Sequence, residues 1–270
     1  MTKHLIVNAD DYGRTASVSS GIRHAHLNGI VTTTTAMMNM PTVIEDIRVA
    51  QGECPRLGLG VHLTLTAGRP VLPPAQAPTL VDHNGAFLRL DQLTTALPNV
   101  NPAELRAEWR AQIEKFLATG AALDHLDSHH HTSYFTETAF GIMLDLANEY
   151  RAPVRRPRAK DENDADSLSR AEFTDRILRE KGARCPDHFI TSFYDDGVTI
   201  SNLLGILNTL PDGLTEIMSH PGYVDDELLH GSSYNLRREE EIEVLTSDEV
   251  KEAITANRIT LRTFKEAFVV

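Results

Sequence analysis

The chain has 270 residues and carries 26 Lys and Arg against 38 Asp and Glu, a formal net charge of −12. This acidity argues against nucleic acid as a partner, because binding to phosphates usually requires a basic face. Hydrophobic residues at 41% and charged residues at 24% are ordinary for a globular protein and exclude disorder over most of the chain.

The cysteines and the N-terminus bear on the compartment. Cys54 and Cys185 are the only thiols, too few for a multi-thiolate metal site, and they fit a reducing compartment better than a disulfide framework. The first residues, MTKHLIVNADDYG, reach acidic side chains after a handful of apolar ones, which is typical of neither a signal peptide nor a membrane span. We therefore expect a cytoplasmic protein that has no membrane partner.

Apolar, β-branched runs alternate with amphipathic helical stretches along the chain, which is typical of a parallel α/β fold. Long loops that follow strands in such folds often carry functional sites. In the first third of the chain we predict a strand at 4–8, a helix from 16 to 28, a strand at 30–38, a helix ending near 52, a strand at 57–65 and a Pro-rich loop at 69–78.

The best delimited helix lies in the middle of the chain. Asn101 can serve as its N-cap, a proline occupies the first helical position, and Glu104 completes a capping box. Gly120 ends the helix, which is predicted over 102–118. The next strand must then cover 121–128, which places three consecutive histidines at its carboxyl end.

The alternation continues through the second half of the chain. We predict a helix at 136–150, a short strand at 153–156, a polar surface loop at 157–167, a strand at 188–193, a helix at 200–210, a strand at 214–219, a helix that starts at the capping signal TSDE from 246, and a final strand at 259–264. Seven or eight strand–helix units predict a single domain over 1–270 that forms a closed or nearly closed, TIM-like (β/α) barrel of parallel strands. Catalytic groups in such folds cluster at the carboxyl ends of the strands.

Asp10 and Asp11 end the first predicted strand. Adjacent side chains on an extended backbone point in opposite directions, so we expect the two carboxylates to have different roles. One would bind a metal ion, while the other would act as a base on metal-bound water. The alternative is a turn that caps the following helix.

The segment DHLDSHHH, from 124 to 131, holds the densest set of candidate metal ligands. In a strand, alternate residues share one face, so two or three of the ligands could project into the barrel together. The residues on that face are His125, Asp127, His129 and His131. Imidazoles combined with a carboxylate suit Zn²⁺, Mn²⁺ or Fe²⁺ and, less typically, Mg²⁺. A histidine-rich surface turn without a role is the alternative, but it leaves the histidines at other strand ends unexplained.

Two further strand ends carry a single histidine. His62 follows Gly60, which allows close backbone approach, and His62 would be the third ligand beside Asp11 and one of the three consecutive histidines. Three protein ligands with open positions are what a catalytic metal requires. His220, in MSHPG, is a candidate general acid or oxyanion stabiliser. The alternative for each is a structural histidine.

Arg155 and Arg156 end the short strand at 153–156. An inward-facing arginine could keep the base carboxylate ionised and oriented, or contact a substrate oxygen. The strand pattern leaves open which of the two faces inward.

Five sequence blocks, in this order and spacing, resemble the YdjC-like (ChbG) carbohydrate deacetylase family: IVNADDYG, GLGVHLTLTAGRPV, HLDSHHH, VRRPR and EIMSHPGY. The resemblance covers residues 5 to 255. It implies a distorted (β/α) barrel that binds one divalent metal ion, Mg²⁺, and removes acetyl groups from N-acetylated sugars such as chitin-derived oligosaccharides.

The resemblance also implies site residues by motif position. It assigns the metal to Asp11, His62 and His129, and the base role to Asp10. The role of His220 follows from similarity to more distant polysaccharide deacetylases. The VRRPR block departs from the family pattern, because an apolar residue is expected at the position of its second arginine.

The predicted activity is metal-dependent hydrolysis of an acetamido group on a small sugar, a linear amide, with release of acetate. The metal, Mg²⁺ with Zn²⁺ or Mn²⁺ as alternatives, polarises the carbonyl and lowers the pKa of bound water, and Asp10 takes the proton. His220 stabilises the oxyanion or protonates the leaving amine, and Arg155 is the third catalytic candidate.

Two alternative functions remain open, and the composition also bears on the length of the substrate. The alternatives are another barrel metallohydrolase, such as a two-metal phosphoesterase, and a non-catalytic sugar- or metal-binding protein. A single Trp109, predicted on a helix, and 6% aromatic residues favour a monosaccharide or short oligosaccharide over a long polysaccharide. A homodimer is expected from base rates alone.

Overall fold

The computed structural model describes residues 2–157 and 165–268. The strands of these residues form one seven-stranded sheet in which every ladder is parallel. They are β1 (Lys3–Tyr12), β2 (Thr33–Ala36), β3 (Gly58–Leu63), β4 (Leu123–Ser128), β5 (His188–Ile190), β6 (Gly213–Ser219) and β7 (Ile259–Leu261). The predicted α/β class with seven to eight parallel strands is confirmed.

The strand order is β4-β3-β2-β1-β6-β5, which forms the predicted distorted (β/α) barrel. β1 is its central strand, because one edge of β1 pairs with β6 and the opposite edge pairs with two short strands. β7 pairs with residues 3–5 of that edge, and β2 pairs with residues 8–12. No ladder joins β4 to β5 in the described part of the chain, so the barrel is incomplete on that side.

The strand predicted at 153–156 is reduced to a single bridge between Val154 and Leu126 of β4. Proline residues at 153 and 157 lack the N–H groups that a ladder needs, so pairing does not extend. Val154 donates its own N–H to the carbonyl of Arg184. This segment covers the open side of the barrel without closing it.

Helices flank the sheet along most of the chain. They are α1 (Ala16–Asn28), α2 (Val43–Glu53), α3 (Leu90–Ala96), α4 (Pro102–Leu117), α5 (Glu137–Glu149), α6 (Ala165–Lys181), α7 (Ile200–Asn208), α8 (Asp226–Gly231), α9 (Arg237–Thr246), α10 (Asp248–Ala256) and α11 (Phe264–Phe268). None of these helices combines the length and the apolar character needed to cross a lipid bilayer.

Sequence patterns predict none of α3, α6, α8, α9 and α11, because these helices are short or rich in charge and show no clear apolar stripe. α6 begins at Ala165, so the surface loop predicted at 157–167 is wrong from that residue onward. Residues 158–164 of the predicted loop lie outside the described part of the chain.

α4 begins at the predicted residue and ends one residue before the predicted end, but its N-terminal contact differs from the prediction. Asn101 caps it by accepting the N–H of Ala103 at 2.9 Å. Glu104 does not complete the capping box, because its carboxylate accepts the N–H and hydroxyl of Thr79 at 2.9 and 2.7 Å. The contact of Glu104 with Thr79 in the long loop therefore replaces the predicted contact of Glu104 with the backbone of Asn101.

The interior of the barrel is polar near the carboxyl ends of its central strands. Asn8 accepts the hydroxyl of Thr33 at 2.7 Å and donates to Asp10 at 2.8 Å, and all three residues are buried. Thr35 donates to Asp127 at 3.1 Å across the same space. Apolar side chains instead form the main core between sheet and helices. Buried polar groups of this kind mark the region where a site can form.

Candidate metal centre and active site

One cavity of about 1040 Å³ opens at the carboxyl edge of the barrel, where the strand order places the predicted site. Its wall contains five of the predicted site residues, namely Asp10, Asp11, His62, His129 and His220. Arg155, the sixth, is fully buried beneath the cavity. Residues from β1, β3, β6 and the turn after β4 therefore converge.

Asp11, His62 and His129 form a buried cluster whose donor atoms all lie within 4.8 Å of one another. The Asp11 Oδ1 atom is 3.0 Å from His129 Nδ1 and 3.4 Å from His62 Nε2. Asp11 adopts a φ of 71° within a β-bulge of β1, which turns its carboxylate toward the histidines and away from its neighbour Asp10.

The chemistry of the cluster fits a divalent cation. Asp11 Oδ1 is buried and has no hydrogen-bond partner, although two imidazole nitrogens face it. The other nitrogen of His62, Nδ1, lies 2.6 Å from Asp127 Oδ1, so a carboxylate orients the ring and leaves Nε2 directed at Asp11. This carboxylate–histidine arrangement is typical of metal sites. Two nitrogens and one oxygen suit Zn²⁺ or Mn²⁺.

The electrostatics of the cluster favour positive charge. Burial opposes ionisation of Asp11, but Arg238 and His129 outweigh it and hold the pKa of Asp11 well below its usual range. Burial also opposes protonation of His62, yet Asp127, Asp11 and Asp10 raise the pKa of His62 to about 10. The carboxylates around His62 thus stabilise a cation in this place.

Asp10 is held by a bidentate ion pair with Arg155. The two guanidinium nitrogens of Arg155 donate to the Asp10 oxygens at 2.7 and 2.8 Å, and Asn8 donates a third bond at 2.8 Å. Burial opposes ionisation of Asp10, but Arg155 outweighs it and lowers the pKa of Asp10 below its ordinary value. Asp10 is therefore an oriented carboxylate that is ionised at neutral pH.

Arg155 is itself fixed by two further carboxylates. It lies 2.9 Å from Asp127 Oδ2 and donates from Nε to Glu216 at 2.7 Å. Arg156 points away from the site toward Asp175 and Cys185. The question that the sequence leaves open is thus answered, since Arg155 is the inward-facing arginine.

The same contacts bear on a two-metal site. Asp10, His62 and Asp127 form a second buried group that could hold a cation. Arg155, however, makes ion pairs with both carboxylates of this group. The guanidinium therefore already supplies positive charge to both carboxylates of this group.

His220 lies at the end of β6, with its Nε2 atom 3.8 Å from Asp10 Oδ2. Its backbone N–H donates to Glu241 at 2.5 Å, and its ring meets Tyr194 and Tyr234 edge to face. Burial and Arg238 outweigh the attraction of Asp10 and lower the pKa of His220 to about 4. The imidazole is therefore neutral near pH 7 and can donate a hydrogen bond.

The face predicted to be shared by His125, Asp127, His129 and His131 extends only to the end of the strand, which contains the first two of them. β4 ends at Ser128, and the chain continues as a 3₁₀ turn in which His131 and its preceding neighbour have left-handed backbone angles. The two-residue period stops where the strand stops. His125 stacks on Phe264 of α11, with ring centroids 3.9 Å apart. Of the four, His129 joins the cluster of Asp11 and His62, and Asp127 belongs to the second buried group.

Several residues of the cavity wall, among them Arg238, Tyr194 and Tyr234, belong to no strand-end motif. Arg238 lies on α9, and Tyr194 and Tyr234 lie in connections. The two tyrosine rings stack with centroids 4.4 Å apart. A buried arginine on a charged helix and aromatic residues in loops carry no local signal for a site.

The chain is similar to known proteins over nearly its whole length. The model of a family described as YdjC-like protein matches residues 4–256. A carbohydrate deacetylase of Thermoanaerobacter pseudethanolicus is 40% identical over 262 residues, which cover 97% of this chain and 98% of that protein. A carbohydrate deacetylase of Enterococcus faecalis is 37% identical over 268 residues and 97% of each chain.

Two solved structures are also similar. The first is an Enterococcus faecalis V583 protein described as a candidate cellobiose-phosphate cleavage protein, with a TM-score of 0.86 and 36% identity over 98% of each chain. The second is a family 4 carbohydrate esterase from Streptomyces lividans in complex with acetate, with a TM-score of 0.52 and 8% identity over 99% of this chain and 97% of that one. The second likeness concerns the fold alone.

Proposed function

The chain belongs to the YdjC-like protein family, and we propose that it is a hydrolase that removes the acetyl group from N-acetylated mono- or short oligosaccharides with one divalent cation. The observation that carries this proposal is the position of the ionised Asp10 carboxylate beside the cluster of Asp11, His62 and His129. The relatives named carbohydrate deacetylase support the reaction.

A divalent cation held by Asp11, His62 and His129 would polarise the acetyl carbonyl and make water in the cavity more acidic. Asp10 takes a proton from the attacking water, and the water oxygen bonds to the carbonyl carbon. The bidentate ion pair with Arg155 keeps Asp10 ionised and orients its carboxylate toward that water. Accepting this proton requires an ionised carboxylate at the cavity wall, which Asp10 provides.

His220 acts next to Asp10. Its neutral ring donates a hydrogen bond to the carbonyl oxygen as negative charge develops there. The proton that Asp10 takes from the water is delivered to the leaving nitrogen as the carbon–nitrogen bond breaks. The products are acetate and the free amine of the sugar.

The cavity favours a small substrate. Pockets of roughly 300–1,000 Å³ hold drug-sized molecules, and the volume of about 1040 Å³ suits a mono- or disaccharide. Tyr194 and Tyr234 add aromatic surface beside His220. Trp109 is buried on α4 and makes no part of the cavity wall.

The test measures acetate release from N-acetylglucosamine, diacetylchitobiose and longer chito-oligosaccharides. Metal-stripped protein is compared with protein given Mg²⁺, Mn²⁺, Co²⁺ or Zn²⁺. We expect release that requires the cation and is fastest with the short substrates. The absence of release from every acetylated sugar with every cation would contradict the proposed function.

Two variants separate catalysis from metal binding. Asp10→Asn should retain the cation and lower kcat by about 10²- to 10⁴-fold, because an amide cannot accept the proton. His129→Ala should lose both cation and activity, since one of three ligands is removed. His83→Ala, which changes an exposed histidine, serves as the matched control. A fully occupied metal site in His129→Ala would refute the ligand assignment.

A further inference from the structure

Arg238 is a buried cation at the metal centre that comes from a distant helix. It belongs to α9, is 2% exposed, and donates to the Oδ2 atom of Asp11 at 2.5 Å. Its Nε donates to the carbonyl of Tyr234 at 3.0 Å, and its guanidinium lies 5.5 Å from the centre of the Tyr234 ring. Several contacts therefore fix the guanidinium group in one place.

The two oxygens of Asp11 consequently have different surroundings. Oδ2 is occupied by Arg238, whereas Oδ1 faces the nitrogens of His62 and His129 and accepts no hydrogen bond. A cation in the cluster can reach Oδ1 only. Without the guanidinium, both oxygens of the carboxylate would be available to the same cation.

We propose that Arg238 is a positioning residue that restricts Asp11 to one-oxygen coordination and so preserves an open position on the cation for water or substrate. This inference rests on the cation site of the proposed function. With Asp11 bound through one oxygen, the protein supplies three donors, which is the number found in catalytic rather than structural sites. A two-oxygen Asp11 would fill a position that the reaction requires.

Arg238 also connects the metal centre to the segment that carries His220. A terminal nitrogen of its guanidinium donates to the His220 carbonyl at 3.5 Å, and the next turn of α9 brings Glu241 to the His220 N–H. The spacing between His220 and Asp11 is therefore set partly by α9. Only a planar group with several donors can make these contacts together, so lysine is an incomplete substitute.

The decisive variant is Arg238→Met, and Arg237→Met is its matched control. Arg237 is the preceding residue of the same helix, but it is 40% exposed and pairs with Asp196 and Glu240 at the surface. Each variant is loaded with Co²⁺, whose visible absorption weakens as its coordination number rises. Circular dichroism checks that each variant is folded.

For Arg238→Met we expect retained Co²⁺ binding, a weaker visible absorption than in the wild type, and a kcat about 10- to 100-fold lower, the range found for partners of metal ligands. Arg238→Lys keeps a charge near Oδ2 and should restore the wild-type spectrum with an intermediate kcat. Arg237→Met should match the wild type in both measurements. If Arg238→Met is not folded, the neutral variant Arg238→Gln replaces it, with Arg237→Gln as its control and the same expected results.

A wild-type spectrum together with a kcat within about threefold of the wild type in Arg238→Met would overturn the positioning role. The spectrum does not depend on turnover, so it separates this inference from the proposed function. If the wild type binds Co²⁺ but releases no acetate, the proposed reaction fails and the spectra still decide the role of Arg238. If the wild type binds no Co²⁺, the metal centre and the inference both fail.

Discussion

Asp10 and Asp11 are neighbours in the chain but have no partner arginine in common. The bulge in β1 and the positive φ of Asp11 send one carboxylate to Arg155 and the other to Arg238. A bulge that redirects a side chain next to a site is a recurring device in sheets. The two carboxylates therefore point in different directions, as strand alternation predicts, although the bulge contributes to the separation.

His220 offers a test at the level of one titrating residue. Its folded-state pKa of about 4 lies below the ordinary value of 6.5, because burial and Arg238 disfavour the charged ring. The unfolded chain binds the proton more readily, so the stabilising contribution is complete above pH 6.5 and is lost as the pH falls toward 4. Between pH 7 and 4 the wild type should lose about 3 kcal/mol more unfolding free energy than His220→Gln.

Chemical denaturation at several pH values measures this difference. His83→Gln, at an exposed position, should follow the wild-type curve. Parallel pH profiles for the wild type and His220→Gln would show that the ring is not held neutral by the fold.

At the scale of elements, close packing of β3 against β4 depends on Gly60. A Cβ atom at this position would come within 2.7 Å of both the backbone oxygen and the ring of His125. Gly60→Ala should therefore destabilise the protein by about 1–3 kcal/mol, the usual effect of overpacking. Gly52, at the end of α2, has open space around it, and Gly52→Ala should be neutral or stabilising by up to about 1 kcal/mol. Equal effects of the two substitutions on Tm would contradict this account.

α4 stabilises the long loop that borders the cavity through one buried carboxylate. Glu108 accepts the backbone N–H groups of Val71 and Leu72 at 2.9 and 3.0 Å and the amide of Gln112 at 2.8 Å. In Glu108→Gln one of the acceptor oxygens is replaced by a donor, so a buried N–H loses its partner. We expect a loss of about 1–3 kcal/mol.

Urea denaturation of Glu108→Gln against Glu114→Gln tests this contact. Glu114 lies on the same helix but is exposed, so its variant should remain close to the wild type. A midpoint for Glu108→Gln equal to that of Glu114→Gln would remove the loop-anchoring role of Glu108.

At the scale of the whole molecule, the candidate ligands join three parts of the barrel. Asp11 lies on β1, His62 on β3, and His129 in the turn after β4, so the complete cluster exists only in the folded chain. A cation that binds the folded state alone stabilises it by about 2.7 kcal/mol at 100 times its Kd. For a chain of this size, that corresponds to a rise in Tm of roughly 5–10 °C.

Thermal unfolding of chelator-treated protein with added Zn²⁺, Mn²⁺ or Mg²⁺ measures the effect and ranks the cations. His129→Ala should lack the shift, and His83→Ala should retain it. A wild-type Tm that no cation raises would mean that the cluster does not bind these metals.

Local sequence patterns predict much of this architecture. The alternation of apolar strands with helices, the cap and length of α4, and the acidic and histidine residues at strand ends indicate the α/β class and the edge of the barrel where the cavity lies. These features are local because side-chain burial imposes a period of two on strands and 3.6 on helices within a few residues. Asp10, Asp11, His62 and His220 all follow from such positions.

Other features were decided by the tertiary structure alone. Which arginine faces inward depends on the bridge that places Val154 beside Leu126 of β4, and the position of His129 depends on the turn that ends the strand period. Arg238 is 227 residues from Asp11 along the chain, yet their side chains are in contact. Such a pairing arises from the packing of α9 over the barrel and follows no periodicity that a single sequence could display. The sequence therefore locates the edge of the barrel that carries the site, whereas long-range packing selects the partners of each carboxylate.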